Sequence, residues 1–218
     1  DDAAMSAEQF LREVRALPES VKTIRLHISS PGGNPFDAVT IANTLRTESR
    51  ERGRRIEVHI EGLAASAASV VAMAGDTIKI ADNALMMIHE ASGFAMGPKS
   101  EMRQAAEMLD TIDRSIVATY RWHATAAEDE IAALMAAVTW MNAEQAVAQG
   151  FATELVPGMQ AAAQFRPETL ARLGEIPETY RARVEALGST LQLVDFVPLE
   201  DEAGEAALAE ALQRQVAA

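Results

Sequence analysis

Two short stretches of the chain alternate apolar and polar residues, as half-buried β-strands do. Residues 24–28 read Ile-Arg-Leu-His-Ile, and residues 56–60 read Ile-Glu-Val-His-Ile. This period of two sends successive side chains to opposite faces of a sheet. Two further short strands are predicted at 77–80 and 85–89, on either side of a turn at Asp82-Asn83.

Helical patterns lie between and after these strands. The first helix begins at a capping box, Ser6-Ala-Glu-Gln9, and ends at Pro18. Asn34 is the predicted N-cap of the second, and Gly75 is expected to be a left-handed C-cap of the third. The remaining helices are predicted at 35–51, 67–74, about 98–125, 128–137 and 142–149. Strands that alternate with helices favour an α/β layered fold with a mostly parallel sheet.

The composition changes beyond Pro157. Residues 158–218 are rich in Ala, Glu and Arg, with helical patches at 168–173 and 205–216. We therefore predict one α/β domain over residues 1–156 and a helical or linker extension over residues 157–218. A chain of 218 residues is long enough for one domain with a sizeable core and such an extension.

The charge balance restricts the partners. Lys and Arg total 19 against 32 Asp and Glu, a net charge of −13, so no basic stripe is available for nucleic acid. The absence of cysteine excludes disulfides and thiolate zinc sites. No apolar run approaches the roughly 20 residues that span a bilayer, and no nucleotide-binding loop is present. We expect no nucleic-acid or membrane partner, no metal and no cofactor. Because the chain begins at Asp1 rather than Met, its N-terminus is expected to be processed, trimmed or internal.

Three motifs whose residues could take part in catalysis lie at the ends of predicted strands. They are Ser30-Pro-Gly-Gly33, Gly62-Leu-Ala-Ala-Ser66 and Met86-Met-Ile-His89. Taken one at a time, each fits an ordinary role as a turn, a helix N-cap or a structural histidine. Together they supply a nucleophile, a base and backbone N–H donors, the minimum set for acyl transfer.

The order of these motifs resembles the Clp proteolytic subunit family. After them come a long helix, then Thr139-Trp-Met-Asn-Ala143, and then Gly150-Phe151, so that the resemblance covers about residues 24–155. The tracts at 65–76 and 139–143 look closest to the family members that mature bacteriophage heads. The resemblance implies a ClpP- and crotonase-like layered fold with a long handle helix.

The resemblance also implies a role for each matched residue. Ser66 would attack the peptide carbonyl, and His89 would take its proton. The N–H groups of Gly33 and Ala67 would hold the oxyanion. The residues expected to bind the substrate peptide, which would add as an extra strand, are Gly32, Gly93, Phe94 and Ala95.

Assembly and setting follow from the same resemblance. The family forms closed homo-oligomeric rings with the catalytic sites facing an inner chamber, and the handle helix joins ring to ring. The expected substrates are capsid or scaffold proteins, or the chain's own extension. The expected location is the bacterial cytoplasm or a phage prohead. Any use of ATP would have to come from a partner.

Two features depart from the family pattern. Nothing in residues 1–9 resembles the family's first strand, so a sheet edge is expected to be unpaired. At the position of the third, acidic triad member the chain has Val138. A backbone carbonyl or Thr139 could orient His89 instead, another acid such as Glu90 or Asp82 could replace the missing one, or the enzyme could be slow or inactive.

Two other functions fit parts of the sequence. A crotonase-type acyl-coenzyme A enzyme would use the same pair of N–H groups but would leave Ser66 and His89 without a role. A catalytically weak assembly component of a prohead would explain Val138 and the Ala/Glu-rich extension. Binding of a coenzyme A thioester, compared with labelling by a serine-reactive phosphonate, separates the first alternative from a peptidase.

Overall fold

Two parallel strands, β1 (Thr23–Ser30) and β2 (Arg55–Ala65), form the centre of the sheet. The computed structural model describes residues 7–158, 176–181, 190–192 and 196–197. Buried and partly exposed residues alternate along β1 and along the first half of β2, which confirms the alternation read from the sequence.

Strand β2 is long enough to pair with two different strands along the same edge. Its residues 57–60 pair in parallel with β3 (Thr77–Ala81), and residues 63–65 pair in parallel with β4 (Leu85–Ile88). Strand β6 (Glu154–Val156) continues the sheet in parallel beyond β3, whereas β5 (Thr139–Asn142) runs antiparallel to β4. The sheet is mostly parallel, as predicted, and the carboxyl ends of β2 and β4 therefore lie side by side.

Helices pack around this sheet over a core that contains Phe10, Leu45 and Tyr120. The side chain of Asn34 caps α2 as predicted, because it accepts hydrogen bonds from the N–H groups of Phe36 and Asp37. The helices are α1 (Ala7–Ala16), α2 (Pro35–Arg52), α3 (Ala67–Ala72), α4 (Lys99–Tyr120), α5 (Glu128–Ala136) and α6 (Ala143–Ala148).

Strand β2 runs five residues further than the alternation predicts. Residues 62–65 are all buried, because Ala64 packs in the main core whereas Leu63 and Ala65 pack in a second cluster on the other face, and a strand buried on both faces no longer alternates. Two short strands, β5 and β6, were also absent from the predicted elements. These strands have only four and three residues, which are too few to show the alternation of apolar and polar residues that identifies a strand in a sequence.

Two helix ends differ from the predictions. Helix α4 stops at Tyr120, about five residues early, and residues 121–123 form a turn. Helix α3 ends at Ala72, and Gly75 does not have a positive φ, so the predicted left-handed cap is wrong. A glycine is needed there for another reason: a Cβ at Gly75 would lie 2.8 Å from the carbonyl oxygen of Thr77.

The far edge of β1 is occupied. Strands β7 (Thr190–Gln192) and β8 (Phe196–Val197) pair antiparallel with it, so the edge expected to be unpaired has a partner supplied by the C-terminal region. The described part of that region adds strands to the sheet as well as one helical turn at 178–181. The helical patches predicted at 168–173 and 205–216 lie outside the described residues, and the domain boundary at 156/157 stays a prediction.

A second, smaller core lies on the sheet near β4 and β5. Leu63, Leu85 and Met87 are buried there with Trp140, and Tyr180 stacks on Trp140 with ring centroids 6.2 Å apart. The C-terminal region thus packs on the sheet as well as pairing with its edge. Within the described ranges, no helix is both long and apolar enough to cross a lipid bilayer.

Candidate active site

Ser66 occupies a strained turn between β2 and α3. Its backbone has φ of 54° and ψ of −127°, a conformation that residues with a side chain rarely adopt. Two hydrogen bonds hold it: the Ser66 N–H donates to the Met87 carbonyl at 2.9 Å, and the Ser69 hydroxyl donates to the Ser66 carbonyl at 2.6 Å. Strand-to-helix turns of this kind present a nucleophilic hydroxyl at the edge of an α/β sheet, and such strain is concentrated at functional sites.

Gly32 packs directly against this turn. Its φ is +97°, and a Cβ there would lie 2.7 Å from the Ala65 carbonyl oxygen and 2.8 Å from the Ala67 nitrogen. Only a residue without a side chain allows the two backbones to approach this closely. The Ser-Pro-Gly-Gly segment therefore packs against the Ser66 turn and helps to hold it in place.

His89 follows β4 and reaches Ser66. The parallel ladder places Ala65 beside Met87, so the residues just beyond both strand ends are neighbours. The imidazole Nε2 lies 2.7 Å from the Ser66 Oγ. This is the geometry in which a histidine can accept the proton of a serine hydroxyl.

The environment of His89 favours the neutral imidazole. Burial lowers its pKa below the ordinary value of 6.5 and outweighs three influences that raise it. The largest of these is the charge of Asp113, followed by a hydrogen bond to the backbone of Glu90 and by the charge of Glu90. Nε2 is the ring nitrogen that faces the Ser66 hydroxyl, so in the neutral imidazole it is the atom placed to accept the proton.

A cleft opens beside the Ser66–His89 pair. Gly33 and Ala67 line it next to the serine, and Val70, Ile116 and Tyr120 form an apolar wall. The hydroxyl of Tyr120 is fully buried and lies 2.7 Å from the Ser69 hydroxyl. Burial raises the pKa of Tyr120 far above its ordinary value, so this phenol stays neutral and serves to fix the wall.

The cleft brings together only some of the residues singled out by the sequence. Ser66, His89, Gly33 and Ala67 line it, whereas Gly32 lies behind the serine turn. Gly93, Phe94 and Ala95 are exposed and are not in a strand, and Phe94 is 90% accessible. Their role in substrate binding stays a prediction.

At position 138, where the resemblance implies an acid, the chain has Val138. The antiparallel ladder between β4 and β5 ends at the pair of Ile88 with Thr139, and His89 and Val138 are the residues just beyond it on the two strands. Val138 has φ of 51° and is 41% exposed, and β-branched residues are strongly disfavoured in this conformation. Val138 and Ser66 are the two described non-glycine residues with positive φ.

Two of the suggested substitutes for the acid are engaged elsewhere. The Thr139 hydroxyl donates to the Leu134 carbonyl at 2.6 Å, and the Asp82 carboxylate accepts from the Gly158 N–H at 3.0 Å. Glu90 acts on His89 through its backbone and its charge. Sequence reasoning missed Asp113, because on a long helix that carries several other acids a single aspartate gives no signal of its own.

The remaining histidines lie apart from the cleft. His27 and His59 stack on each other along β1 and β2, and His27 Nδ1 lies 2.6 Å from a carboxylate oxygen of Glu61. Within the part of the chain that the structure describes, no group of three or more His, Asp or Glu side chains could hold a metal ion.

Comparisons with known proteins point to one family. The sequence model of the Clp protease family matches residues 3–158, which is more than half of the chain. The ATP-dependent Clp protease proteolytic subunit of Bacteroides fragilis is 27% identical over 137 residues, covering 62% of this chain and 64% of that protein. The protein of the same name from Ligilactobacillus salivarius is 35% identical over 93 residues, covering 42% of this chain and 45% of that protein. The protein of the same name from Streptococcus gordonii is 27% identical over 142 residues, which cover 63% of this chain and 70% of that protein. The chain thus spans less than two thirds of the length of the first two of these relatives.

Proposed function

The chain belongs to the Clp protease family, a family of peptidases, and from this premise we propose that it is a serine endopeptidase. In this proposal Ser66 is the nucleophile and His89 is the general base. The observation that carries it is the 2.7 Å contact between His89 Nε2 and Ser66 Oγ, made by a serine held at φ of 54°.

The proposed reaction is acyl transfer in two halves. His89 accepts the hydroxyl proton as Ser66 Oγ attacks the peptide carbonyl carbon. The C–N bond then breaks, and His89 gives the same proton to the leaving amine. A water molecule repeats the attack on the acyl-enzyme, with His89 again taking and returning a proton, and the new carboxyl group leaves Ser66. A histidine that is neutral near pH 7 suits this role, because only the neutral ring can accept the proton.

The N–H groups of Gly33 and Ala67 are proposed to stabilise the oxyanion. Ala67 is the first residue of α3, so its N–H has no acceptor within the helix. Gly33 lines the same cleft. Fixed donors of this kind stabilise the negative charge that develops on the carbonyl oxygen in the transition state.

The substrate peptide is proposed to bind along the segment that follows the cleft. Ser92 lines the cleft, and Gly93, Phe94 and Ala95 continue directly from it as an exposed segment outside the sheet. An extended peptide could add to this backbone and to Gly32 as a strand, which places its scissile bond at Ser66.

The finer proposal is a protease that matures phage heads. It rests on the tracts at 65–76 and 139–143, and it makes capsid or scaffold proteins the substrates. Homo-oligomeric rings in the bacterial cytoplasm or in a prohead are part of the same proposal. The relatives are named as ATP-dependent proteases, and any ATP use here would come from a partner, since peptide hydrolysis itself requires none.

The chain's own extension is a further proposed substrate. Cleavage after Pro157 would separate the extension covalently, while Tyr180 and β7 would still be held against the sheet by the contacts described above. Mass spectrometry of purified protein over time tests this, and an extension that remains intact after prolonged incubation contradicts it.

Labelling with a fluorophosphonate probe tests the peptidase proposal directly. We expect the wild type to be labelled at Ser66, and the Ser66→Ala and His89→Ala variants not to be labelled. His27→Ala is a matched control, because it removes a histidine on β1 that does not line the cleft. Absence of labelling in folded wild-type protein contradicts the proposal.

A second candidate function is a catalytically weak assembly component of a prohead. The specific observation in its favour is Val138, whose side chain cannot accept a hydrogen bond from His89 and which lies just beyond the end of the β4–β5 ladder. This candidate predicts that the protein assembles but that neither the probe nor a peptide substrate reacts with Ser66.

A further inference from the structure

Asp113 of α4 is joined to the segment that carries His89. Its Oδ1 accepts a hydrogen bond from the Ala91 N–H at 2.6 Å. His89 and Ala91 both line the cleft, and Ile116 of the same helix forms part of its wall. The carboxylate therefore fastens the residues that follow β4 to the helix that closes the cleft.

Asp113 is also the best placed negative charge near His89. Ser66, just before α3, is hydrogen-bonded to the imidazole, and the two charged groups that act on it are Asp113 on α4 and Glu90 on its own segment, whereas Val138, just beyond the end of the β4–β5 ladder, is uncharged. Glu90 is exposed, whereas Asp113 is half-buried, so water and salt screen the charge of Asp113 less. Among the influences that favour protonated His89, the charge of Asp113 is the largest.

We propose that Asp113 is the positioning residue of this site, and that from α4 it replaces the acid missing at position 138. It holds the segment that follows His89 through the Ala91 N–H, and it presents a negative charge to the imidazolium that forms when Ser66 loses its proton. This inference rests on the proposed peptidase function, and Asp113 acts through His89 rather than on the substrate.

Three variants separate the two parts of this role. Asp113→Asn keeps an oxygen that can accept the Ala91 N–H but removes the charge, and Asp113→Ala removes both. Asp110→Asn is the matched control, because Asp110 is an exposed acid on the same helix. Two readouts are needed: titration of the His89 ring followed by NMR, with its signals assigned from their loss in His89→Ala, and the rate of Ser66 labelling as a function of pH.

The expected result is a lower pKa of His89 in Asp113→Asn, with labelling at neutral pH about tenfold slower. This loss is well short of the roughly 10⁴-fold loss that follows when the buried acid of the serine-protease template becomes an amide. Asp113→Ala should lose more, and Asp110→Asn should match the wild type. Thermal unfolding identifies a variant that has simply lost its structure.

The inference is overturned if Asp113→Asn leaves both the His89 titration and the labelling rate unchanged, or if Asp110→Asn has an equal effect. Its failure is distinct from failure of the peptidase proposal. If the wild type is not labelled at Ser66, the peptidase proposal is contradicted. The NMR titration of His89 decides independently whether Asp113 acts on His89.

Discussion

Gly32 lies so close to Ser66 that a Cβ at position 32 would be 2.8 Å from the Ser66 Cβ. Two loops that are 34 positions apart in the numbering are thereby locked together at the nucleophile. The other two atoms that a Cβ at position 32 would meet are the Ala65 carbonyl oxygen and the Ala67 nitrogen, and because these belong to the backbone they cannot move aside to accommodate a larger residue. The neighbouring Gly33 is different, since a Cβ there would meet nothing within 4 Å.

These two glycines give a matched pair of substitutions. Gly32→Ala should destabilise the fold by roughly 3 kcal/mol, because overpacking costs about 1–3 kcal/mol and a positive φ costs a similar amount. It should also abolish labelling at Ser66. Gly33→Ala keeps the N–H and has room, so its unfolding free energy should change by less than about 0.5 kcal/mol. Chemical denaturation and probe labelling measure both effects, and equal behaviour of the two variants would contradict the prediction.

The strain at Ser66 predicts a difference between two inactive variants. Ser66→Ala and Ser66→Gly both lose the contact with His89, but only glycine adopts the φ of 54° without cost. Relief of about 1–3 kcal/mol is partly offset by the greater freedom of glycine in the unfolded chain, about 0.5–1 kcal/mol. We expect Ser66→Gly to be more stable than Ser66→Ala by about 1 kcal/mol. Denaturant unfolding of both variants tests this, and a less stable glycine variant would show that the turn is not strained.

The pKa of His89 predicts how reactivity depends on pH. Burial lowers that pKa below 6.5, so the imidazole remains a competent base at a pH where an ordinary histidine is already protonated. The rate of Ser66 labelling should therefore be constant near neutral pH and fall only as the pH drops through this lowered pKa. Labelling rates from about pH 5 to about pH 9 measure the profile. A rate that declines already above the ordinary histidine pKa would show that another group controls the reaction.

A carboxylate at position 138 should improve the base. Val138→Asp places an acid just beyond the pair of Ile88 with Thr139, at the end of the ladder where His89 follows on the other strand. Peptidase activity should rise about tenfold, less than the roughly 10⁴-fold effect of the acid in the serine-protease template, because Asp113 already supplies a charge. The same substitution should restore activity to Asp113→Asn.

Val138→Asn is the control for this experiment. Asn and Asp both tolerate a positive φ better than a β-branched residue does, so both variants relieve the strain at φ of 51°. Only the aspartate adds charge. If both variants gain activity equally, the gain comes from relief of the backbone strain at position 138 rather than from the added charge. If neither gains, position 138 is not the missing third member.

The main features of the site could be predicted from the sequence because each is local. The alternation at 24–28 and 56–60 defines two strands, and the motifs that end in Gly33, Ser66 and His89 follow strand ends. Since parallel strands bring their carboxyl ends to one edge of a sheet, the meeting of Ser66 with His89 follows from topology.

What sequence reasoning missed depends on contacts between distant segments. The hydrogen bond from Ala91 to Asp113 joins a loop to a helix 22 residues away, and helical periodicity reports only which face is apolar. The pairing of β7 and β8 with β1 joins residues from opposite ends of the chain. The tight approach that requires Gly75 is set by Val58 and Thr77, which no local pattern at Gly75 reveals.

The stacking of Tyr180 on Trp140 predicts that the C-terminal region stabilises the sheet. The two rings are 6.2 Å apart at an angle of 24°, above the small core of Leu63, Leu85 and Met87. Tyr180→Ala should lower the unfolding free energy by about 1–2 kcal/mol, since an aromatic pair contributes roughly 0.5–1.5 kcal/mol beyond its buried area. It should also expose the Trp140 indole to water and shift its fluorescence to longer wavelength.

The measurement is best made in a Trp122→Phe background, because the chain has two tryptophans and Trp140 then emits alone. Phenylalanine keeps an aromatic ring beneath the Arg46 guanidinium, which lies 4.1 Å from the centre of the Trp122 ring. Arg181→Ala is the matched control, since the Arg181 side chain is half exposed and pairs with Glu178 rather than with the sheet. A red shift in Tyr180→Ala that is absent from Arg181→Ala establishes that residues 176–181 dock on the sheet in solution. Unchanged fluorescence and stability in Tyr180→Ala would mean that residues 176–181 do not stabilise the sheet, and after cleavage beyond Pro157 the extension would then be held by the pairing of β7 and β8 with β1 alone.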